Sequence, residues 1–110
     1  MPVYLAMAQG SSNYKVDVSL KVELLDGTHR SKNFRAVLDT GAAPVIVRRG
    51  ALPYDVDLGV LKQPPLLFDA QRKAISVLGV VTGHFMMGSG EYLVECLVAE
   101  ELSVDLLLGT

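Results

Sequence analysis

Asp39-Thr40-Gly41 has the residue types of a reactive centre. It follows Ala36-Val37-Leu38, an apolar run that stops at a carboxylate, a hydroxyl and a glycine. Asp is depleted in strands and Gly weakens a strand interior, so a strand is expected to end here and present its acid. Gly41 lets the backbone turn sharply or approach another chain closely. The plainer alternative is that Asp39 begins a turn and nothing more, since Asp and Gly are common turn residues.

Hydrolysis by carboxylates alone needs two of them sharing one proton, one acting as base and the other as acid. Like charges about 3 Å apart cannot both ionise, which splits their pKa values. Asp55, Asp57, Asp69 and Asp105 are candidate second acids, but none follows an apolar strand into Thr-Gly. A twofold dimer supplies the missing partner, because it places the same residue twice across its axis. Other chemistry finds less support. His84 lies in an apolar strand and reads as a packed or edge histidine, and His29 sits in a polar stretch and reads as solvated. Cys96, the one cysteine, falls on an apolar strand face and reads as a buried, inert thiol. Two histidines and one cysteine assemble no zinc cluster of usual spacing. Arg48-Arg49 has no Gly-rich loop or helix start beside it, so it reads as a solvated loop rather than a phosphate grip.

The elements that must position Asp39 are strands. Tyr14, Val16, Val18, Leu20, Val22 and Leu24 alternate with Lys15, Asp17, Ser19, Lys21 and Glu23. Period two predicts a strand with one buried face. Asp26-Gly27 predicts a hairpin turn, residues 28–32 are polar, and a second strand over 33–38 leads into Asp39. Residues 3–8 suit an edge strand or ordered arm, and Gly10-Ser11-Ser12-Asn13 a loop. Val45-Ile46-Val47 predicts a brief strand, and residues 52–65, with three prolines, an irregular stretch. Residues 66–68 and 74–77 flank a polar tip, the pattern of a hairpin. A strand over 79–87, broken by Gly83, turns at Gly88-Ser89-Gly90 into a return strand over 91–100. Tyr92, Val94, Cys96 and Val98 share one face of that return strand. After a break at Glu101-Leu102-Ser103, residues 104–110 read as a buried strand. Helical periodicity is absent, so the fold class is all-β, a sandwich or a closed or partly closed barrel.

The 110 residues read as one domain, 1–110. Half of them are hydrophobic and the mean hydropathy is +0.34, so a partner is expected to cover some of the surplus. The net charge of −2 offers no basic footprint for nucleic acid and no polybasic membrane patch. No apolar run reaches the length of a membrane span, and residues 1–7 lack the positive start of a signal peptide. A single cysteine fits a reducing, intracellular (cytoplasmic) setting.

Ala36-Val37-Leu38-Asp39-Thr40-Gly41-Ala42 resembles the active-site motif of retropepsins, the aspartic proteases of retroviruses and retrotransposons. Leu106-Leu107-Leu108-Gly109 resembles that family's hydrophobic-hydrophobic-Gly motif, where a strand passes beneath the active-site loop. Residues 66–77 sit where the family places its flap, with Leu78-Gly79-Val80-Val81 following. The resemblance covers about residues 14–110. It implies a homodimeric, cofactor-free endopeptidase acting on a peptide or a retroelement-type polyprotein through an activated water. Asp39 would be the catalytic acid, paired with its copy. Thr40 would anchor the two loops, Gly41 would lie near substrate, and Ala42 would shape the site. Phe68, Asp69, Ala70, Gln71 and Arg72 would form the flap over an extended substrate. Leu107, Leu108 and Gly109 would support the site from below. The chain ends just after the second motif, where the family usually continues into a helix, and the tip 69–72 lacks the glycines common in viral flaps. Those departures motivate the alternative of a non-catalytic peptide-binding or assembly domain that keeps the fold. A β-barrel unrelated to proteases is the third reading.

Overall fold

The computed structural model describes residues 3–4, 14–39 and 44–109. Among these the chain forms nine strands. They are β1 (Val3–Tyr4), β2 (Lys15–Glu23), β3 (His29–Asp39), β4 (Ile46–Arg48), β5 (Leu67–Phe68), β6 (Ala74–Ile75), β7 (Val77–Met87), β8 (Gly90–Ala99) and β9 (Leu106–Gly109). One 3-10 turn, Arg49–Ala51, is the nearest thing to a helix among the described residues. None of them forms a helix long and apolar enough to cross a membrane.

Six strands close into a barrel in the order β2-β3-β9-β4-β8-β7. The alternation in β2 sets its inner face: Val18, Leu20 and Val22 are buried, while Lys15, Asp17 and Glu23 are exposed. They meet Phe34 and Ala36 of β3, Val81 and Phe85 of β7, Cys96 and Val98 of β8, Val47 of β4 and Leu106 and Leu108 of β9. Burying each large side chain of this set contributes about 1.5–3 kcal/mol before chain entropy is counted. A second cluster, Ile46, Ala99, Leu107 and Leu67, lies behind the strip β9-β4-β8. The small sheet β1-β5-β6 stands apart from the barrel sheet.

The turn between β2 and β3 forms as expected. Gly27 takes φ +86°, which favours glycine, and the Asp26 carboxylate accepts from the Thr28 amide at 2.9 Å and its hydroxyl at 2.6 Å. The Thr28 hydroxyl holds Asp26 below the usual carboxylate range. Residues 29–32, polar and expected outside a strand, belong to β3 instead. Backbone pairing from Glu23↔His29 through Leu20↔Lys32 includes them, and both faces there are open to solvent. Lys32 lays its ammonium 5.1 Å from the centre of the Phe34 ring and donates to the Ala51 carbonyl at 3.1 Å.

Other elements also depart from expectation. β7 runs unbroken through Gly83, which pairs with Val22 of β2 and Val94 of β8, and the end of the Leu20 side chain fills the space a Cβ there would take. Tyr92 is half-exposed, since β8 outruns the core near its turn, whereas Val94 packs against the core and Cys96 and Val98 lie within it. Val45 precedes β4, and β9 starts at Leu106 after bends at 103–105. The 52–65 stretch is irregular, as expected, and is pinned by bridges Leu24↔Val56 and Gly59↔Val80.

Two predictions follow from this packing. Leu78 is skipped in the β7–β8 register, a bulge that brings buried Gly79 against the 59–80 bridge. A Cβ on Gly79 would lie 2.6 Å from the Gly59 carbonyl oxygen, a backbone atom with little room to yield. Gly79→Ala is expected to cost about 1–3 kcal/mol and to lower Tm by roughly 5–20 °C in a thermal melt. Burial pushes the Cys96 thiol up to about 12. The unfolded thiol titrates near pH ~8.5, so above that pH the unfolded chain sheds a proton that the folded chain keeps, and stability falls as pH climbs toward about 12. At pH 8 a disulfide-exchange reagent should label Cys96 no faster than the chain opens. Rapid labelling of the native protein would contradict this placement.

Candidate functional site

Asp39 is the last residue of β3, and β9 runs parallel beside it. Val37 pairs with Leu107, Leu38 with Leu108 and Asp39 with Gly109. Cross-strand partners share a face, so Gly109 brings no side chain alongside the acid. On its other edge β9 pairs antiparallel with β4, Ile46 opposite Leu107 and Val47 opposite Leu106. Strand β9 is therefore enclosed between neighbours. Leu106 and Leu108 enter the barrel core and Leu107 enters the cluster behind it. Burial on both faces explains the unbroken Leu-Leu-Leu, where a half-exposed strand would alternate.

Asp39 is 3% exposed, the one charged side chain among the described residues that is buried. A carboxyl group at this depth needs a polar partner, and Asp39 is not without an interaction. In the single chain the acid has almost no solvent. The expectations for Thr40, Gly41 and Ala42 lie outside the described residues.

Leu107 also links the acid's strand to the hairpin β5–β6. Leu67 is fully buried against it, with Ile75 packed on the same cluster. Beyond that anchor the hairpin closes tightly. The Asp69 amide donates to the Lys73 carbonyl at 2.9 Å, and the Arg72 amide donates to the Asp69 carbonyl at 2.9 Å. The Asp69 carboxylate accepts from the amides of Gln71 at 2.9 Å and Lys73 at 2.8 Å. Arg72 occupies the left-handed region at φ +65°. A three-residue loop with its last residue in that region is a common hairpin closure, in which glycine is the usual choice. Here the carboxylate of Asp69 organises the tip that lacks glycine, so Asp69 has a structural task of its own.

A groove of about 350 Å³ separates this hairpin from the bend after β8. Asp69, Gln71 and Lys73 line one wall, and Glu101, Leu102 and Ser103 the other. Phe68, Ala70, Arg72 and Asp39 are not among its lining residues. Residues 101–103 read in the sequence only as a break. Their one local signal was the loss of alternation after Val98, which tells of a loop and not of what the loop faces. Arg48 fixes the same bend. Its Nε and Nη2 donate to Asp105 Oδ1 at 3.0 and 2.7 Å, and its amide donates to the Asp105 carbonyl at 2.9 Å. Arg49 donates to the carbonyls of Pro53 and Tyr54 at 3.1 and 3.0 Å. The two arginines thus staple loops instead of forming the solvated loop expected. The ion pair itself, being half-exposed, is worth only about 0–1 kcal/mol.

The histidines sit elsewhere. His29 Nε2 lies 3.8 Å from Glu23 Oε1, and His84 Nδ1 lies 3.4 Å from Glu91 Oε1. With Lys21 and Asp57 they line an open cleft of about 320 Å³ on the β2–β7 side. No group of three or more His, Cys, Asp or Glu among the described residues is placed to hold a metal ion.

No family model matches this chain, and no curated protein or solved structure matches it. The geometry yields its own test. Asp69→Ala removes the acceptor for two tip amides, so amide hydrogen exchange at Gln71 and Lys73 should quicken by about tenfold, the equivalent of roughly 1.4 kcal/mol, while the barrel strands keep their protection. Unchanged exchange at the tip would show that Asp69 does not hold it.

Proposed function

We propose that this chain is one half of an aspartic endopeptidase, active as a homodimer in which the two copies of Asp39 share one proton. The observation that supports this reading most is the pairing of Asp39 with Gly109. It brings the two motifs of the retropepsin resemblance, far apart in sequence, into direct register at the end of one strand pair. A rigid barrel then presents a single acid beside a residue without a side chain. The hairpin β5–β6, anchored behind that site through Leu67 and Leu107, is the counterpart of the flap.

In the proposed reaction the ionised Asp39 takes a proton from a water molecule. The water oxygen attacks the scissile carbonyl carbon, while the protonated Asp39 of the second copy gives its proton to the carbonyl oxygen. The tetrahedral intermediate collapses as the first Asp39 passes the proton it took from water to the amide nitrogen, the second Asp39 takes back a proton from a hydroxyl of the intermediate, and the C–N bond breaks. Dimerisation must open the carboxylate to water and substrate, because the single chain leaves it 3% exposed. A retroelement-type polyprotein as substrate rests on the resemblance alone.

The burial of Asp39 also favours a second reading, a peptide-binding or assembly domain that keeps this barrel without catalysis. Assays of peptide cleavage across a range of chain concentrations separate the two. The protease reading expects activity per chain to rise with concentration, a bell-shaped rate profile on the acid side of neutrality, and a fall of at least about 10²-fold in Asp39→Asn with the fold intact. Asp39→Asn as active as the parent rejects that reading. A strict monomer at micromolar concentration that ignores a statine-type peptide supports the second.

A further inference from the structure

The end of β3 far from Asp39 carries charge where its pattern calls for apolar residues. Phe34 and Ala36 face the core and are buried. Lys32 and Arg30 continue the same alternate face of the strand. In the β2–β3 ladder Lys32 stands opposite Leu20 and Arg30 opposite Val22, and cross-strand partners share a face. Leu20 and Val22 are buried, so both cations stand on the inner face of the barrel wall, where that face reaches solvent. A cavity of about 280 Å³ lies against them. Leu20, Val22, Phe34 and Leu52 line its apolar part, and Arg30, Ser31 and Lys32 its polar part. No carboxylate is among its lining residues.

We propose that this cavity binds a small amphipathic anion, a carboxylate on a short apolar chain, with its tail on Leu20, Phe34 and Leu52 and its head between Arg30 and Lys32. The size fits. Small-molecule sites run from roughly 300 Å³ upward, and this cavity stands at that lower end. The charge fits as well. An ammonium carries three donors, and the Ala51 carbonyl takes one from Lys32 at 3.1 Å. That bond, with the Phe34 ring 5.1 Å below, holds the ammonium in place and leaves its other donors for a ligand. Among the described residues no carboxylate forms an ion pair with Lys32 or Arg30, and no acceptor takes a hydrogen bond from the Arg30 guanidinium. The Arg30 charge is felt at Asp26 across the turn, but Thr28 is what chiefly holds that carboxylate. Two cations without an anion, above an apolar floor, are the complement of an amphipathic anion. Its head gains charge-assisted hydrogen bonds while its tail leaves water. Inward-pointing charge that only guards the margin of a sheet needs no such cavity beneath it. The site requires nothing of the protease reading: along an extended strand Lys32 stands roughly 23 Å from Asp39.

The test titrates the full chain with octanoate, followed by amide NMR shifts and by calorimetry. The controls are 1-octanol, the tail without the charge, and acetate, the charge without the tail. Octanoate should saturate the protein with shifts centred on residues 20–22, 30–34 and 52, and bind at least about tenfold more tightly than either control. Lys32→Gln and Arg30→Gln should each weaken octanoate about tenfold and leave octanol unchanged. Both side chains are exposed, so the fold should hold, and unchanged amide shifts in the other barrel strands check this. Lys32→Arg, which keeps the charge, should retain most of the binding. Arg30→Gln/Lys32→Gln should bind octanoate no better than octanol. Asp39→Asn should bind octanoate as the parent does, which keeps this result apart from the fate of the protease reading. Octanoate binding no tighter than octanol in the parent would overturn the proposal, as would shifts centred elsewhere or full affinity in the double variant. Loss of octanoate binding in Asp39→Asn would move the anion away from this cavity and overturn it too.

Discussion

The parallel pairing of β3 with β9 is the contact on which this molecule turns. Parallel strands need a long connection, and everything from β4 to β8 lies within this one. The pairing also makes β9 a strand with neighbours on both edges and apolar contacts on both faces. Leu106 and Leu108 complete the barrel interior. Leu107 turns the other way and carries the hairpin. One four-residue strand therefore closes the barrel, fixes the end of β3 where Asp39 stands, and packs in one cluster with the hairpin β5–β6.

This arrangement divides the protein into a firm part and a light one. The barrel strands pair over many residues around a continuous core. The sheet β1-β5-β6 is made of two-residue strands, held to the rest through Leu67 and Ile75. Few buried contacts and short ladders are the marks of segments that open at low free energy. The tip is an exception within the light part. Asp69 gathers its amides, so the end of the hairpin is held closed.

The buried state of Asp39 is the tension at the heart of the proposed chemistry. Placing a carboxylate at a strand end inside a packed fold makes its position definite, and the same packing keeps water away. A second copy resolves this tension if it replaces the cover on the acid with its own acid. A fold kept for binding resolves it differently, by leaving the acid as an internal tie. The physical difference between the two outcomes is access to one side chain.

Much of the architecture was legible because it depends on neighbours in the chain. Period two from Tyr14 to Leu24 predicts a strand and its inner face, which holds from Val16 onward while Tyr14, just before β2, is exposed; Asp26-Gly27 predicts its turn, and an uncharged run of three leucines before Gly109 a buried strand. These follow from local backbone geometry and from the cost of burying polar groups. Residues 29–32 were not legible as strand, because both faces there meet water and the backbone of β2 alone recruits them. Gly83 read as a break, yet it pairs within β7, and Leu20, more than sixty residues earlier, lays the end of its side chain where a Cβ would stand. The Arg48–Asp105 clasp, the groove wall at 101–103 and the seat of β1 on β5 likewise join residues distant in sequence. So the sequence by itself determined the kinds of element and the acid they lead to. The tertiary structure alone decided which strands became neighbours and how deeply Asp39 sits, because pairing and burial are properties of contacts that no local pattern encodes.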